Sequence, residues 1–265
     1  MFSQTERGKI IKIISISNIK GGVKKTTTAA VLAVGLADKG YRVLMVDNDP
    51  QANLAMCFKL ELPDEGPSLY HVYCVEKRID DIKLAVKDRL DLVAGGFGLC
   101  NADIQFTKVG RLKMLQKAVV NSNLGYDFII IDTLPNLGVL SLNTFLASDH
   151  VVVPMAADSF SLKGVRLLKQ TLNDVAEETE RELPVVGILL TQYNSRTNVS
   201  RLLEKSLNSA AELLGTEVFK SRIRQAVAIQ ESQTAKEDLF SYAVNAKVAE
   251  DYRGFIDEFI ERVSV

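Results

Sequence analysis

The chain has 265 residues, and its 32 lysines and arginines nearly balance its 33 aspartates and glutamates, which gives a formal net charge of −1. This balance excludes a globally basic nucleic-acid-binding protein, so any contact with DNA has to come from a local patch. The three cysteines have no CxxC spacing, which argues against a disulfide framework or a zinc site and favours a protein of the reducing cytosol.

Apolar, β-branched runs alternate with segments of helical periodicity along most of the chain. Such a pattern is typical of a mainly parallel, twisted sheet that is buried between helices. Since no repeat or linker interrupts it, we predict a single α/β domain over residues 1–265. Strands are predicted at Ile10–Ser17, Arg42–Val46, Leu90–Ala94, Phe128–Ile131, Val151–Met155, Val185–Thr191 and, weakly, Glu217–Ile223. Helices are predicted at Thr26–Ala37, Arg111–Asn121, Ser141–Ala147, Gly164–Glu180, Val199–Leu214 and Val248–Val263.

Two regions lie outside this pattern. Leu60–Asp91 is the least regular part of the chain, and we expect it to form a surface excursion. The N-terminal stretch MFSQTERGK lacks the apolar core of a signal peptide, and no apolar run approaches membrane-spanning length. We therefore expect a soluble, cytoplasmic protein.

A glycine-rich loop, IKGGVKKT, connects the first predicted strand to the first predicted helix. Such a loop offers backbone N–H groups to phosphates, and Gly21 and Gly22 allow close approach of the backbone. Lys25 is placed to reach the β- and γ-phosphates, and Thr26 to bind Mg²⁺ through its hydroxyl. For the loop taken alone, an ordinary lysine-rich surface turn is the alternative. The loop residues predicted here to bind nucleotide are Gly21, Gly22, Val23, Lys24, Lys25, Thr26 and Thr27.

Acidic residues follow two other predicted strands, with Asp47 and Asp49 after the second strand and Asp132 after the fourth. The carboxyl ends of parallel strands form one edge of the sheet, where ligands bind. Since Mg²⁺ is held in phosphate sites by one or two carboxylates plus phosphate oxygens, we predict Thr26, Asp49 and Asp132 as its ligands. For Asp49 a structural role, capping the turn at Pro50, stays open.

These motifs resemble those of the ParA/Soj family of deviant Walker-A partition ATPases, a branch that includes MinD and McdA. The similar stretches run nearly end to end and include KGGVKKTTT, VLMVDNDPQAN, YDFIIIDTLPNLGVLSLN, VVVPMAADSFSLKGV, GILLTQYNSRTNVS and VAEDY. The resemblance implies a P-loop NTPase fold, ATP and Mg²⁺ as cofactors and weak ATP hydrolysis. It also implies a homodimer with ATP between the subunits, which binds double-stranded DNA non-specifically and responds to a ParB-like or cargo-adaptor protein. Such a protein is nucleoid-associated and moves a plasmid, a chromosome or a protein assembly.

The resemblance also implies roles for individual residues. Lys20 corresponds to the signature lysine that reaches across the dimer to the phosphates of the other subunit. Asp49 corresponds to the aspartate that positions the attacking water, and Asp132 to the Walker-B carboxylate. The implied catalytic residues are therefore Lys20, Lys25 and Asp49.

Two positions depart from the family pattern of KGGVGKTTT and DxPP. Lys24 stands in place of a glycine, and a left-handed backbone there costs a residue with a Cβ about 1–2 kcal/mol. Its N–H remains available and its ammonium suits a triphosphate, but its side chain could displace catalytic water or obstruct the dimer face. We expect retained ATP binding, while hydrolysis stays open. Leu134 replaces the first proline of DxPP, which should matter less.

The expected base pocket departs from the family as well. The family usually has a proline and an asparagine beside adenine, at positions that Arg224 and Ala226 hold here. The guanidinium of Arg224 could stack on the purine, or it could be a solvated charge.

A basic segment is the candidate DNA contact. Residues 196–224 carry six basic and three acidic side chains, a local charge of +3. Arg196 corresponds to a family arginine implicated in DNA binding, and Lys220 and Arg222 are predicted to substitute for a second one, which falls on Ala228. Contacts to phosphate are independent of sequence. The alternative is an ordinary charged surface.

Two rival functions stay open. A MinD-like positioning ATPase would bind membranes through a basic amphipathic C-terminal helix. The C-terminal stretch EDYRGFIDEFIERVSV instead has five acidic and two basic residues, so we expect no membrane partner. Lys24 could also mark a hydrolysis-impaired, nucleotide-binding scaffold, which a measured ATPase activity would distinguish.

Overall fold

An eight-stranded sheet lies at the centre of the computed structural model, which describes residues 11–60, 66–106, 111–122, 125–157, 162–194 and 200–264. The strands of these ranges are β1 (Lys12–Ile16), β2 (Val43–Asn48), β3 (Leu84–Lys87), β4 (Leu90–Val93), β5 (Phe128–Thr133), β6 (His150–Ala156), β7 (Val185–Tyr193) and β8 (Val218–Arg224). They lie side by side in the order β3-β4-β2-β5-β1-β6-β7-β8.

Neighbouring strands pair in parallel, except that β3 runs antiparallel to β4. Every residue of β2 and β5 is buried, as expected for apolar runs in a sheet that is covered on both faces. The prediction of a mainly parallel α/β sheet is confirmed. Strand β3 was not predicted, because its four residues alternate between half-buried and exposed and give only a weak strand signal.

Helices cover both faces of the sheet. Successive strand residues point to opposite faces, so Met45 packs towards α1 and α11, whereas Leu44 and Val46 pack towards α2 and α5. No helix in the described ranges combines the length and apolarity needed to cross a membrane. The helices are α1 (Lys25–Asp38), α2 (Leu69–Tyr73), α3 (Ile79–Ile82), α4 (Ala102–Gln105), α5 (Met114–Val120), α6 (Val139–Ala147), α7 (Leu162–Thr179), α8 (Ser200–Leu214), α9 (Val227–Ala235), α10 (Leu239–Tyr242) and α11 (Lys247–Val263). Short 3-10 turns cover Ala55–Cys57, Phe97–Asn101 and Arg111–Lys113.

The region Leu60–Asp91, expected to be a surface excursion, contributes to the core in its described part. It contains α2, α3, β3 and the start of β4. Leu69, Tyr73 and Ile79 are buried against the sheet. The expectation was wrong because these short elements are each too brief to show a clear period, although their apolar residues still pack together.

The free edge of β8 is covered by carboxylates from α11. Glu258 accepts hydrogen bonds from the backbone N–H of Lys220 at 3.0 Å and of Ser221 at 3.3 Å. Asp251 accepts one from the backbone N–H of Arg224 at 3.1 Å. Three backbone N–H groups along this edge strand are therefore satisfied by side chains of the same chain.

Candidate functional site

The carboxyl ends of β1, β2 and β5 lie together at one edge of the sheet, because β5 is paired with both of the other strands. Ile16 of β1 is in register with Asp132 of β5, and Asp132 is in register with Asp47 of β2. The glycine-rich loop after β1, the turn after β2 and the residues after β5 therefore meet. The structure thus brings together the three motifs that the sequence indicated.

The glycine-rich loop, residues 17–24, has two left-handed residues. Gly22 has a φ of 77°, which glycine adopts freely. Lys24, the residue directly before α1, has a φ of 65° and a ψ of 35°. The strain anticipated for a lysine at this position is therefore present in the fold. It is held in place because the Lys24 carbonyl accepts the N–H of Thr28, at 2.9 Å, in the first turn of the helix.

We expect the Lys24→Gly variant to be more stable than the parent. Glycine adopts the left-handed region without the steric cost that lysine has there. It also loses more backbone entropy on folding, but the relief of strain should be the larger effect. The free energy of unfolding should therefore rise by about 1 kcal/mol. Urea unfolding followed by circular dichroism measures this change. Lys83→Gly is the control, because Lys83 is an exposed lysine with an ordinary φ of −69°, whereas Lys24 is half-buried and left-handed. That variant should be less stable than the parent, and a stability loss in Lys24→Gly would contradict the assignment of strain.

The side chain of Lys25 lies inside the loop. Only 7% of its surface is exposed, and its Nζ donates a hydrogen bond to the backbone oxygen of Lys20 at 3.0 Å. Burial lowers the pKa of Lys25, while the carboxylates of Asp132 and Asp49 raise it. A bound anion could replace the Lys20 carbonyl as the acceptor of this ammonium group.

The two threonines that follow have different neighbours. Thr26 is half-buried, and its hydroxyl lies beside the Asp132 carboxyl, whose pKa it lowers. Thr27 is buried, and its Oγ1 accepts a hydrogen bond from Nε2 of Gln233 at 3.1 Å. Gln233 belongs to α9, which the sequence analysis did not predict. No motif marks it, and it lies 206 positions away along the chain.

Asp132 is the most unusual acidic residue of the site. It is fully buried, and neither carboxylate oxygen accepts a hydrogen bond of good geometry within the described ranges. Burial raises its pKa to about 7, against the opposing effects of the Thr26 hydroxyl and the Lys25 ammonium. Two such oxygens beside a hydroxyl are a donor set that suits a hard cation such as Mg²⁺.

The carboxylates at the end of β2 have separate roles. Asp47 is fully buried and accepts hydrogen bonds from the N–H of Asp49 at 3.1 Å and of Leu54 at 2.9 Å, so it holds the turn that follows β2. Burial and the neighbouring Asp132 raise its pKa well above the usual range. Over the described residues, no three His, Cys, Asp or Glu side chains form a metal site. A cation here would therefore need oxygen atoms from a bound anion as well.

Asp49 does cap the turn at Pro50, the structural role considered above. Its Oδ1 accepts a hydrogen bond from the N–H of Gln51 at 2.9 Å. Asp49 also lines the cavity described next. Gly95, after β4, allows this arrangement, since a Cβ there would lie 2.3 Å from the backbone oxygen of Asp49.

An open cavity of about 680 Å³ lies over the loop and the start of α1. Its volume is within the range of small-molecule sites. Polar side chains of α9 line this cavity together with the loop and Asp49. Neither α9 nor its part in the cavity was predicted from the sequence. The lining residues are Gly21, Gly22, Lys24, Lys25, Thr26, Thr27, Asp49, Asn53, Met56, Cys57, Thr133, Pro135, Gln230, Gln233 and Thr234.

The remaining predicted nucleotide contacts, which are Lys20, Val23, Arg224 and Ala226, do not belong to this lining, and the side chain of Val23 is buried. Lys20 is exposed, and its backbone N–H donates to Oδ1 of Asn18 at 3.0 Å. Arg224 forms a two-point ion pair with Asp251, at 2.6 and 2.7 Å. Ala226 precedes α9 and packs against the core.

The predicted DNA-contacting residues lie at the other end of the sheet. Lys220 and Arg222 are exposed and two residues apart on β8, which places both on the same face of the strand. The Arg222 guanidinium lies 5.4 Å from the centre of the Tyr193 ring. Arg196 lies outside the described residues.

Comparison with known proteins gives consistent matches. A family model described as an AAA domain matches residues 11–185. The chain is 33% identical over 243 residues to the sporulation initiation inhibitor protein Soj of Bacillus subtilis, covering 91% of this chain and 95% of that protein. It is 30% identical over 258 residues to the chromosome partitioning protein ParA of Caulobacter vibrioides, with 95% of each covered.

A solved structure extends the similarity to the fold. The cobyrinic acid a,c-diamide synthase of Mycobacterium smegmatis, solved with a bound ATP analogue and magnesium, superposes with a TM-score of 0.79. The two chains are 28% identical, and the match covers 94% of this chain and 93% of the synthase.

Proposed function

This chain belongs to the ParA/Soj family of partition ATPases, and from that membership we propose that it is an ATP-dependent, dimerising ATPase. In this proposal it binds DNA non-specifically and segregates or positions a plasmid, a chromosome or a protein assembly on the nucleoid, within the cytoplasm. The observation that carries the proposal is the position of Lys25, Asp49 and Asp132 around one loop at the carboxyl edge of the sheet. Phosphoryl transfer depends on such placed charges more than on covalent chemistry.

The cofactors are ATP and Mg²⁺. The related synthase was solved with an ATP analogue and magnesium, and the residues of this chain fit both groups. The cavity is large enough for a nucleotide, while Thr26 and the unpaired carboxylate of Asp132 would hold the metal. Mg²⁺, when bound, neutralises charge on the phosphoryl oxygens.

Three lysines contribute in different ways to this proposal. Lys25 releases the Lys20 carbonyl and donates instead to the β- and γ-phosphates, a charge-assisted contact. Lys20, exposed at the loop, is proposed to reach the phosphates bound to the partner subunit of a homodimer. Lys24 adds an ammonium group to the cavity lining beside them.

Asp49 is proposed to orient the attacking water, and we expect Asp49→Ala to slow ATP hydrolysis at least about tenfold. This corresponds to about 1.4 kcal/mol of transition-state stabilisation. ATP binding should be retained, because Lys25 is assigned to the phosphates and, without Asp49, Thr26 and Asp132 remain to hold the metal. Single-turnover hydrolysis and equilibrium ATP binding, both followed with the same labelled nucleotide, measure the two effects separately.

The Asp49→Asn variant separates the two roles of this residue. Its side-chain oxygen can still accept the N–H of Gln51, so the turn stays capped, but the negative charge is gone. Hydrolysis should be slow in both variants, whereas only Asp49→Ala should lose stability. Parent-like turnover in the asparagine variant would leave Asp49 with its structural role alone.

The DNA-binding part of the proposal is supported by the exposed, same-face pair of Lys220 and Arg222 on β8. Arg196 is proposed to add to this surface. Contacts from lysine and arginine to phosphate neutralise charge without reading sequence. A ParB-like or cargo-adaptor protein is proposed as the partner that stimulates hydrolysis.

One observation favours a second candidate, a nucleotide-binding scaffold with impaired hydrolysis. Lys24 lines the cavity in a left-handed conformation, where the family pattern has glycine. ATPase assays with and without DNA decide between the two functions, because a scaffold would bind ATP without turnover in every condition.

A further inference from the structure

The end of β7 holds two successive carbonyl groups of the glycine-rich loop. Oγ1 of Thr191 donates a hydrogen bond to the backbone oxygen of Val23 at 3.1 Å. Nε2 of Gln192 donates one to the backbone oxygen of Gly22 at 2.8 Å. Neither residue belongs to the predicted nucleotide site, and both lie about 170 positions away along the chain.

These two bonds fix the direction of the N–H groups that would face a phosphate. In a trans peptide, the C=O of one residue and the N–H of the next point in opposite directions. With the Gly22 and Val23 carbonyls turned towards β7, the N–H groups of Val23 and Lys24 point away from it. The bonds therefore orient two donors of the phosphate cradle.

The same bonds constrain Lys24. The peptide before it is held through the Val23 carbonyl, and the peptide after it is held by the Lys24 carbonyl, which accepts the N–H of Thr28. Lys24 lies between these two fixed peptides and keeps its φ of 65°, a conformation that a lysine would otherwise leave. A glycine at this position would stay there without such support.

We propose that Thr191 and Gln192 are positioning residues that hold the phosphate cradle in its binding conformation and so compensate for Lys24. The inference rests on the proposed binding of ATP phosphates by this loop. We expect ATP binding by this chain to depend on the hydrogen bonds from Thr191 and Gln192, because position 24 lacks a glycine. The dependence should disappear when glycine is restored at position 24.

The test is ATP binding by calorimetry, with Mg²⁺ and a non-hydrolysable ATP analogue, in two backgrounds. In the parent chain, Gln192→Leu and Thr191→Val should each weaken binding about fivefold, within the range of one lost hydrogen bond. In the Lys24→Gly background the same substitutions should weaken it less than about twofold. Gln192 itself has a left-handed backbone, with a φ of 54°. Asparagine suits that conformation but its amide is one carbon shorter, so Gln192→Asn should behave like Gln192→Leu.

Gln225→Leu is the matched control, because Gln225 is exposed near the end of β8 and its backbone N–H, at 3.0 Å, bonds to Tyr193 of β7. It should bind the analogue like the parent. The free energy of unfolding without nucleotide, measured for each variant, identifies any general loss of structure. Unchanged affinity in Gln192→Leu and Thr191→Val, or an equal loss in both backgrounds, would overturn the inference. A parent chain that binds no ATP analogue would instead refute the proposed function itself.

Discussion

ATP binding is expected to fall about 100-fold or more in the Lys25→Ala variant. A hydrogen bond to a charged group contributes up to about 3 kcal/mol, and each 1.4 kcal/mol changes affinity tenfold. Lys25 reaches into the loop from the first turn of α1, and its ammonium already donates to a loop carbonyl that a phosphate oxygen would replace. Titration calorimetry with Mg²⁺ and a non-hydrolysable ATP analogue measures the loss.

Unfolding is tested separately as a cause of that loss. Removing the Lys25 ammonium relieves the burial that lowers its pKa, but it also leaves the buried Asp132 carboxyl without this neighbouring positive charge. The free energy of unfolding without nucleotide is therefore measured beside the affinity. Lys24→Gly is the matched control, since it removes the neighbouring ammonium from the same cavity and should retain binding within about threefold. Parent-like affinity in Lys25→Ala would mean that the loop does not bind phosphate.

Binding to random duplex DNA is expected to rise at least about tenfold when ATP and Mg²⁺ are present. A monomer offers one modest basic patch on a chain of net charge −1, whereas a dimer offers two. Since the salt dependence of log K is proportional to the number of phosphates neutralised, the salt slope should roughly double as well. Fluorescence anisotropy across a salt series, with ATP and without nucleotide, measures both quantities.

Variants locate the DNA surface in the same assay. Lys220→Ala and Arg196→Ala should weaken binding to every duplex alike, because they remove phosphate contacts and not base contacts. Lys77→Ala, an exposed lysine in the turn after α2, is the control and should leave binding unchanged. Equal affinity with and without ATP, or binding restricted to one sequence, would contradict the DNA-binding part of the proposal.

The sequence was sufficient for the features that depend on local pattern. The apolar runs at β2 and β5 predicted buried parallel strands. The rule that ligands bind at the carboxyl ends of such strands then predicted that the acidic residues after β2 and β5 share one site. The left-handed position of Lys24 was also anticipated, because the family pattern has glycine there. Each of these depends on residues close together in the chain.

Features that depend on tertiary contact were missed. The Gln233 contact with Thr27 joins two helices that no motif connects. The pairing of Arg224 with Asp251 depends on how α11 packs against β8, so a charge that could have been solvated has a specific partner. The hydrogen bonds from Thr191 and Gln192 to the glycine-rich loop likewise depend on β7 lying beside that loop, which the hydrophobic periodicity of the sequence does not predict.

The carboxylates of Glu258 and Asp251 along β8 affect how copies of the protein can associate at high local concentration. A protein that gathers on DNA or on a cargo reaches high local concentration, where an open strand edge would recruit the strand of a neighbouring copy and begin uncontrolled polymerisation. In this chain the backbone donors of Lys220, Ser221 and Arg224 are already used by the C-terminal helix. A neighbouring copy therefore meets three backbone donors that are already occupied, and pairing of strands between copies is disfavoured along this part of β8.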